Sequence, residues 1–142
     1  SDGKWVVPDS YSPEQGSHGV VAAYTQQIVY ELFSNTTEAI ATLEAEGKTL
    51  PSVCNAGFRE MLGQCLQNID KGLGTETVSS TTLLKEWKNV KQTSSNLTHR
   101  HLSHLMCMYP FSQVSEYNTD YFTAAKNSLS GRPPHFAFHI AL

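Results

Sequence analysis

The chain has 142 residues, 39% of them hydrophobic and 16% charged, with a formal net charge of −3. A chain of this length buries roughly 70% of the surface its unfolded form exposes, and this composition excludes a disordered or collagen-like chain. No run of about 18 apolar residues provides a membrane span, and the acidic balance argues against nucleic acid, which needs a basic face.

The start, Ser1-Asp2-Gly3-Lys4-Trp5, carries neither an initiator Met nor a signal-peptide pattern and reads as the middle of a longer sequence. Pro8, Ser10, Ser12, Pro13, Gly16 and Gly19 then mark a loop over the first 19 residues. The series Val20, Val21, Tyr24, Ile28, Val29, Leu32, Phe33, Ala39, Ile40 and Leu43 follows the 3.6-residue period and predicts one long helix, about 19–46, stopped by Gly47. Pro51, suited to a first helical turn, precedes a second apolar face of Cys54, Phe58, Met61, Leu62, Cys65, Leu66 and Ile69, ended by Gly72 and Gly74. The short connection predicts an antiparallel helical hairpin.

Residues 71–98 are rich in Gly, Ser, Thr and Asn and read as a long loop with a small apolar patch at Leu83, Leu84 and Trp87. A third helix is predicted at about 100–108, closed by Pro110, and a fourth after Asn118 or Thr119, carrying Tyr121, Phe122, Ala125 and Leu129. The tail 130–142, with Pro133 and Pro134, has no helical pattern. The predicted class is all-α: about four helices in hairpins with long loops, one unit over 1–142 with a divergent tail. Three cysteines make no closed disulfide framework, and Cys54, Cys65 and Cys107 read as small buried hydrophobes.

Three segments concentrate the chemistry. In His99-Arg100-His101-Leu102-Ser103-His104, closely spaced imidazoles suit zinc, and the run matches a His-x-His-x-Asp-His hydrolase pattern except for Ser103. The same residues suit a helix N-terminus capped by Thr98, or a site where Arg and His donate to a sugar or carboxylate. In Ser12-Pro13-Glu14-Gln15-Gly16, a carboxylate behind a proline is either pre-positioned or an ordinary loop residue. In Leu84-Lys85-Glu86-Trp87, the indole either stacks on a sugar or caps the core beneath the loop.

In order and spacing, Ser12-Pro13-Glu14, the helix around Gln26 to Phe33, Leu84-Lys85-Glu86-Trp87, His99 to Leu105, Tyr109-Pro110 and the helix Thr119 to Leu129 resemble glycoside hydrolase family 95. The likeness covers roughly residues 10–129, and its specific part is the His-Arg-His-x-Ser-His-Leu run followed by Tyr-Pro. These are inverting α-L-fucosidases with an (α/α)6 barrel. The resemblance implies Glu14 as general acid, Arg100 and His101 as residues gripping fucose, and Glu86 and Trp87 near that pocket. His99 and His104 would support the segment. It implies a fucosylated oligosaccharide or glycan as partner, no cofactor, and export to the periplasm or outside. The family's base, an asparagine assisted by an aspartate, lies partly upstream of the Ser-Pro-Glu loop and partly after the last helix, where this chain reads Gly131-Arg132-Pro133-Pro134-His135-Phe136. Thr25, Lys85 and Met106-Cys107-Met108 also depart from the family pattern.

A twelve-helix barrel at about 11–12 residues per helix and 2–8 per connection needs about 160–230 residues. The expectation is therefore a partial barrel, cut by a frameshift or early stop in preference to a shortened paralogue, and inactive alone. The alternatives are a non-catalytic carbohydrate-binding or interaction module, and a zinc hydrolase fragment using His99, His101 and His104. Helix faces left bare by a partial barrel predict a homo-oligomer.

Overall fold

The computed structural model describes residues 2–18 and 20–132. The element order is helix α1 (Ala23–Ala45), helix α2 (Ala56–Asn68), strands β1 (Thr75–Val78) and β2 (Thr81–Leu84), two 3₁₀ turns (Asn96–Thr98 and Ser103–Cys107), and helix α3 (Thr119–Ser130). The all-α expectation of about four helices in hairpins, forming part of an (α/α)6 barrel, is overturned. The described residues hold three α-helices and a two-stranded antiparallel sheet. Most of the divergent tail, 133–142, lies outside the described residues.

Two segments cause the correction. Within the region read as loop, Thr75-Glu76-Thr77-Val78 pairs with Thr81-Thr82-Leu83-Leu84, Val78 opposite Thr81. β-Branched residues suit a pleated surface. Ser79 and Ser80 both take positive φ, the backbone of a two-residue type I′ turn. Neither is the Asn or Gly that normally announces such a turn, so the hairpin carries no strong sequence mark. The helix expected at 100–108 is instead the short 3₁₀ turn Ser103–Cys107. Here Gln27 takes the backbone groups a longer helix would use: its Nε2 donates to the His104 carbonyl at 3.0 Å, and its Oε1 accepts from the Cys107 N–H at 2.9 Å. Thr98 lies in the other 3₁₀ turn and caps no α-helix.

α1 starts at Ala23, later than the apolar pattern suggests. Ala22 is extended and bridges Trp87, with the Ala23 N–H on the Glu86 carbonyl and the Lys88 N–H on the Val21 carbonyl, both at 2.9 Å. Val20 and Val21 therefore belong to an extended edge, not to the helix. At its far end Gly47 turns with φ +68 as expected. α2 opens at Ala56, with Asn55 capping the Phe58 N–H at 3.1 Å, and Pro51 lies outside it. The two helices are antiparallel: Arg59 at the start of α2 pairs with Glu44 at the end of α1 at 2.6 Å. At the opposite end Gly72 lies so close to the start of α1 that an added Cβ would stand 2.3 Å from the Ala23 carbonyl. That contact leaves room for hydrogen only.

The main core joins Leu84, Leu105, Cys107, Val114, Ala124 and Ala125, with Leu73, Leu102, Met108 and Leu129 packed around it. α3 lies on β2, where the Ser128 hydroxyl accepts from the Leu84 N–H and donates to the Ala124 carbonyl. Burial pushes the Cys107 thiol up to about 12, so it behaves as a small core residue. Cys54 and Cys65 are only half-buried. No helix among the described residues is long and apolar enough to cross a membrane.

Candidate functional site

The loop before α1 is closed at its neck by Ser10, whose N–H and hydroxyl both donate to the Val20 carbonyl, and whose oxygen accepts from the Ala22 N–H. Within the loop, the Gln15 N–H returns to the Ser12 carbonyl at 3.2 Å. Pro13 occupies the second position of that turn and Glu14 the third, at φ +55. This is the geometry of a type II turn, which favours Gly where Glu14 stands. A non-glycine residue there carries a conformational cost of about 1–2 kcal/mol, and such outliers cluster at functional sites.

The turn aims the Glu14 side chain outward, 57% exposed, into an ion pair with Arg100 and within 3.4 Å of His101 Nε2. Arg100 and His101 are themselves half-exposed. A carboxylate from the first loop thus shares one surface point with a neighbouring guanidinium and imidazole from a segment distant in sequence. Together they offer an oxygen that can carry a proton and several directed donors, a set suited to a polar, hydroxyl-rich ligand.

Beneath this point lies a second cluster, almost dry. Glu86 and His104 are each 1% exposed and meet side chain to side chain, with Nδ1 and Oε2 2.5 Å apart. The other carboxylate oxygen, Oε1, accepts from Ser12 and from the Ser103 hydroxyl, the latter at 2.7 Å, and the two hydroxyls are 3.0 Å from each other. Burial would raise the Glu86 carboxyl. The pull of His104 and the hydrogen bonds from His104, Ser12 and Ser103 together outweigh it and hold the group down at about 2. The backbone at Glu86 is fixed too: its N–H donates to Gln92 Oε1, and Gln92 Nε2 returns to the Leu84 carbonyl.

Trp87 packs with Val20, Ala22 and Tyr24, its ring against Gly16 so closely that an added Cβ would stand 2.4 Å from it. Of the residues singled out by sequence, Glu14, Arg100 and His101 come together at the surface. Glu86 lies directly below them, and Trp87 is a buried support for the Gly16 end of the loop. His99 contacts His101, with ring centroids 5.4 Å apart and Nδ1 accepting from the His101 N–H. Burial, then the neighbouring charges of His101 and Arg132, lower the His99 imidazole. The three histidines proposed for zinc do not converge, because His104 turns inward to Glu86. Among the described residues no group of three or more His, Cys, Asp or Glu could hold a metal ion.

Sequence reasoning named Ser12, Gln15, Ser103 and Arg132 only as parts of longer segments and gave none of them a role in the site. Gln15 Oε1 accepts from Asn96 Nδ2 at 3.3 Å, tying the acidic loop to the 93–99 segment. Arg132 closes the other side of that segment, donating to the carbonyls of Asn96 and His99. A polar residue that anchors backbone leaves no periodic trace. Ser12 and Ser103 do stand in the segments that carry the family likeness, and Ser103 is also the mismatch in the zinc pattern.

The family model described as "Glycosyl hydrolase family 95 catalytic domain" matches residues 1–137, which includes part of the tail that the sequence sets apart. Over 129 residues the chain is 32% identical to a protein named "Probable alpha-fucosidase A" from Aspergillus oryzae (strain ATCC 42149 / RIB 40). The aligned stretch is 89% of this chain and 16% of that relative.

Proposed function

Because the chain belongs to the glycosyl hydrolase family 95 catalytic domains, we propose that its Glu14–Arg100–His101 cluster is the acid-bearing side of an α-L-fucoside site. The observation that carries this reading is the convergence of those three side chains at an exposed point, with Glu14 in a left-handed turn. Glu14 is the proton donor to the leaving oxygen, the role of a general acid in glycoside hydrolysis. In the unliganded chain Arg100 occupies that carboxylate, and the entering sugar takes its place. Arg100 and His101 then donate to fucose hydroxyls, and Trp87 and Glu86 support the pocket from beneath.

Inversion needs a second group that activates water. Among the described residues, the other carboxylate tied to this cluster is Glu86, 1% exposed and already engaged by His104 and two serines. It cannot receive a proton from water without losing those bonds. The 142 residues by themselves are thus expected to bind a fucoside without turning it over. Incubation with a 2′-fucosylated oligosaccharide should release no fucose. Release that disappears in Glu14→Gln would show that this stretch contains a working base and would reject the expected inactivity, whereas release that persists in Glu14→Gln would reject Glu14 as the acid.

A further inference from the structure

We propose that Glu86 is the positioning residue of this site: through Ser12 on one side and Ser103 and His104 on the other, its buried carboxylate sets Glu14 against Arg100 and His101. The assignment rests on the fucoside reading for its purpose, but its geometry stands independently.

Ser12 is two residues before Glu14, and Ser103 is two residues after His101. Both hydroxyls donate to the same oxygen of Glu86, and they also touch each other. The acidic loop and the Arg100–His101 segment are otherwise distant in the chain, so this one oxygen is a shared reference point for both. The second oxygen is taken by His104, whose carbonyl is in turn held by Gln27 on α1. Glu86 itself is fixed to the start of α1 by its carbonyl, which accepts from the Ala23 N–H, and to Gln92 by its N–H. The carboxylate therefore has little freedom, and neither do the two loops hung on it. A buried carboxylate is a costly way merely to fill space, since a removed partner leaves a charge uncompensated. It gives in return a directional link that an apolar residue cannot provide.

The test is made on the 142-residue chain by NMR, with the Arg100 side-chain N–H signal as reporter. In the otherwise unchanged chain, Glu14→Gln should shift that signal. In a Ser12→Ala/Ser103→Ala background, which leaves the Glu86–His104 pair in place, the folded chain should no longer respond to Glu14→Gln. A purely structural role would lower stability and leave the response intact, and an intact response overturns the proposal. Should the double variant fail to fold, Ser12→Ala alone is read in the same way. Titration with L-fucose is the second arm: binding should weaken about tenfold in the serine variant. If the unchanged chain shows no binding of fucose, the fucoside reading fails, while the Arg100 response still decides the positioning role. Equal fucose affinity with and without the two hydroxyls would count against it.

Discussion

Glu86 shows how far tertiary contact decides what surrounds a single side chain. The resemblance places it, with Trp87, near the sugar pocket. The structure buries it under the surface cluster, where Ser12 and Ser103 donate to one carboxylate oxygen and His104 Nδ1 lies 2.5 Å from the other. Because its carboxyl is held down at about 2, against an ordinary 4.5, it contributes stability that is fully present above pH 4.5. That contribution is lost as pH falls from there through about 2. Urea midpoints measured at pH 6, 4 and 3 should therefore fall more steeply for the unchanged chain than for Glu86→Gln. Parallel slopes would mean that the carboxylate gains nothing from its partners. Glu14, Arg100 and His101 could be singled out because their types and spacing match a family pattern, and the structure brings the three side chains together. Ser12 and Ser103 were not legible in role, since a hydroxyl's partner is decided by tertiary contact.

At the scale of elements, the helical hairpin of α1 and α2 and the helix α3 could be read from apolar period and end signals. What the period misjudged was the face. Gln26 and Gln27 are fully buried on α1, whereas Leu32, on the expected apolar face, is 59% exposed. Gln26 grips Val7 through both ends of its amide, and Gln27 satisfies Gly72, His104 and Cys107. Buried amides that serve as backbone partners look like surface residues in a hydrophobicity pattern. Replacing Gln27 by Leu keeps the volume roughly and strands three backbone groups, each costing about 1–3 kcal/mol when buried without a partner. A loss of about 3 kcal/mol in chemical denaturation is expected, together with broadened signals over Ser103–Cys107. A loss under about 1 kcal/mol would show that water replaces the amide freely. The β-hairpin escaped for a different reason: four-residue strands rich in Thr, joined by Ser-Ser, resemble a polar loop until their pairing is seen.

For the molecule as a whole, the chain spans 16% of the length of the curated relative it matches. Ile28, Leu32 and Leu43 on α1 and Met61 on α2 remain exposed. Apolar surface of this kind favours association, and sedimentation of the 142-residue chain should show a dimer or larger species, whereas a monomer at all concentrations would contradict that expectation. One set of long-range polar links serves a single end of the fold: Gln15 to Asn96, Arg132 to Asn96 and His99, and Ser12 and Ser103 to Glu86. They hold a surface point where an acid and two donors meet. The most direct measurement is titration of the 142-residue chain with L-fucose, followed by amide NMR shifts. Saturable shifts centred on Glu14, Arg100 and His101, removed by His101→Ala, are the predicted result. Shifts that never saturate, or that persist unchanged in His101→Ala, would contradict a fucoside site at this cluster.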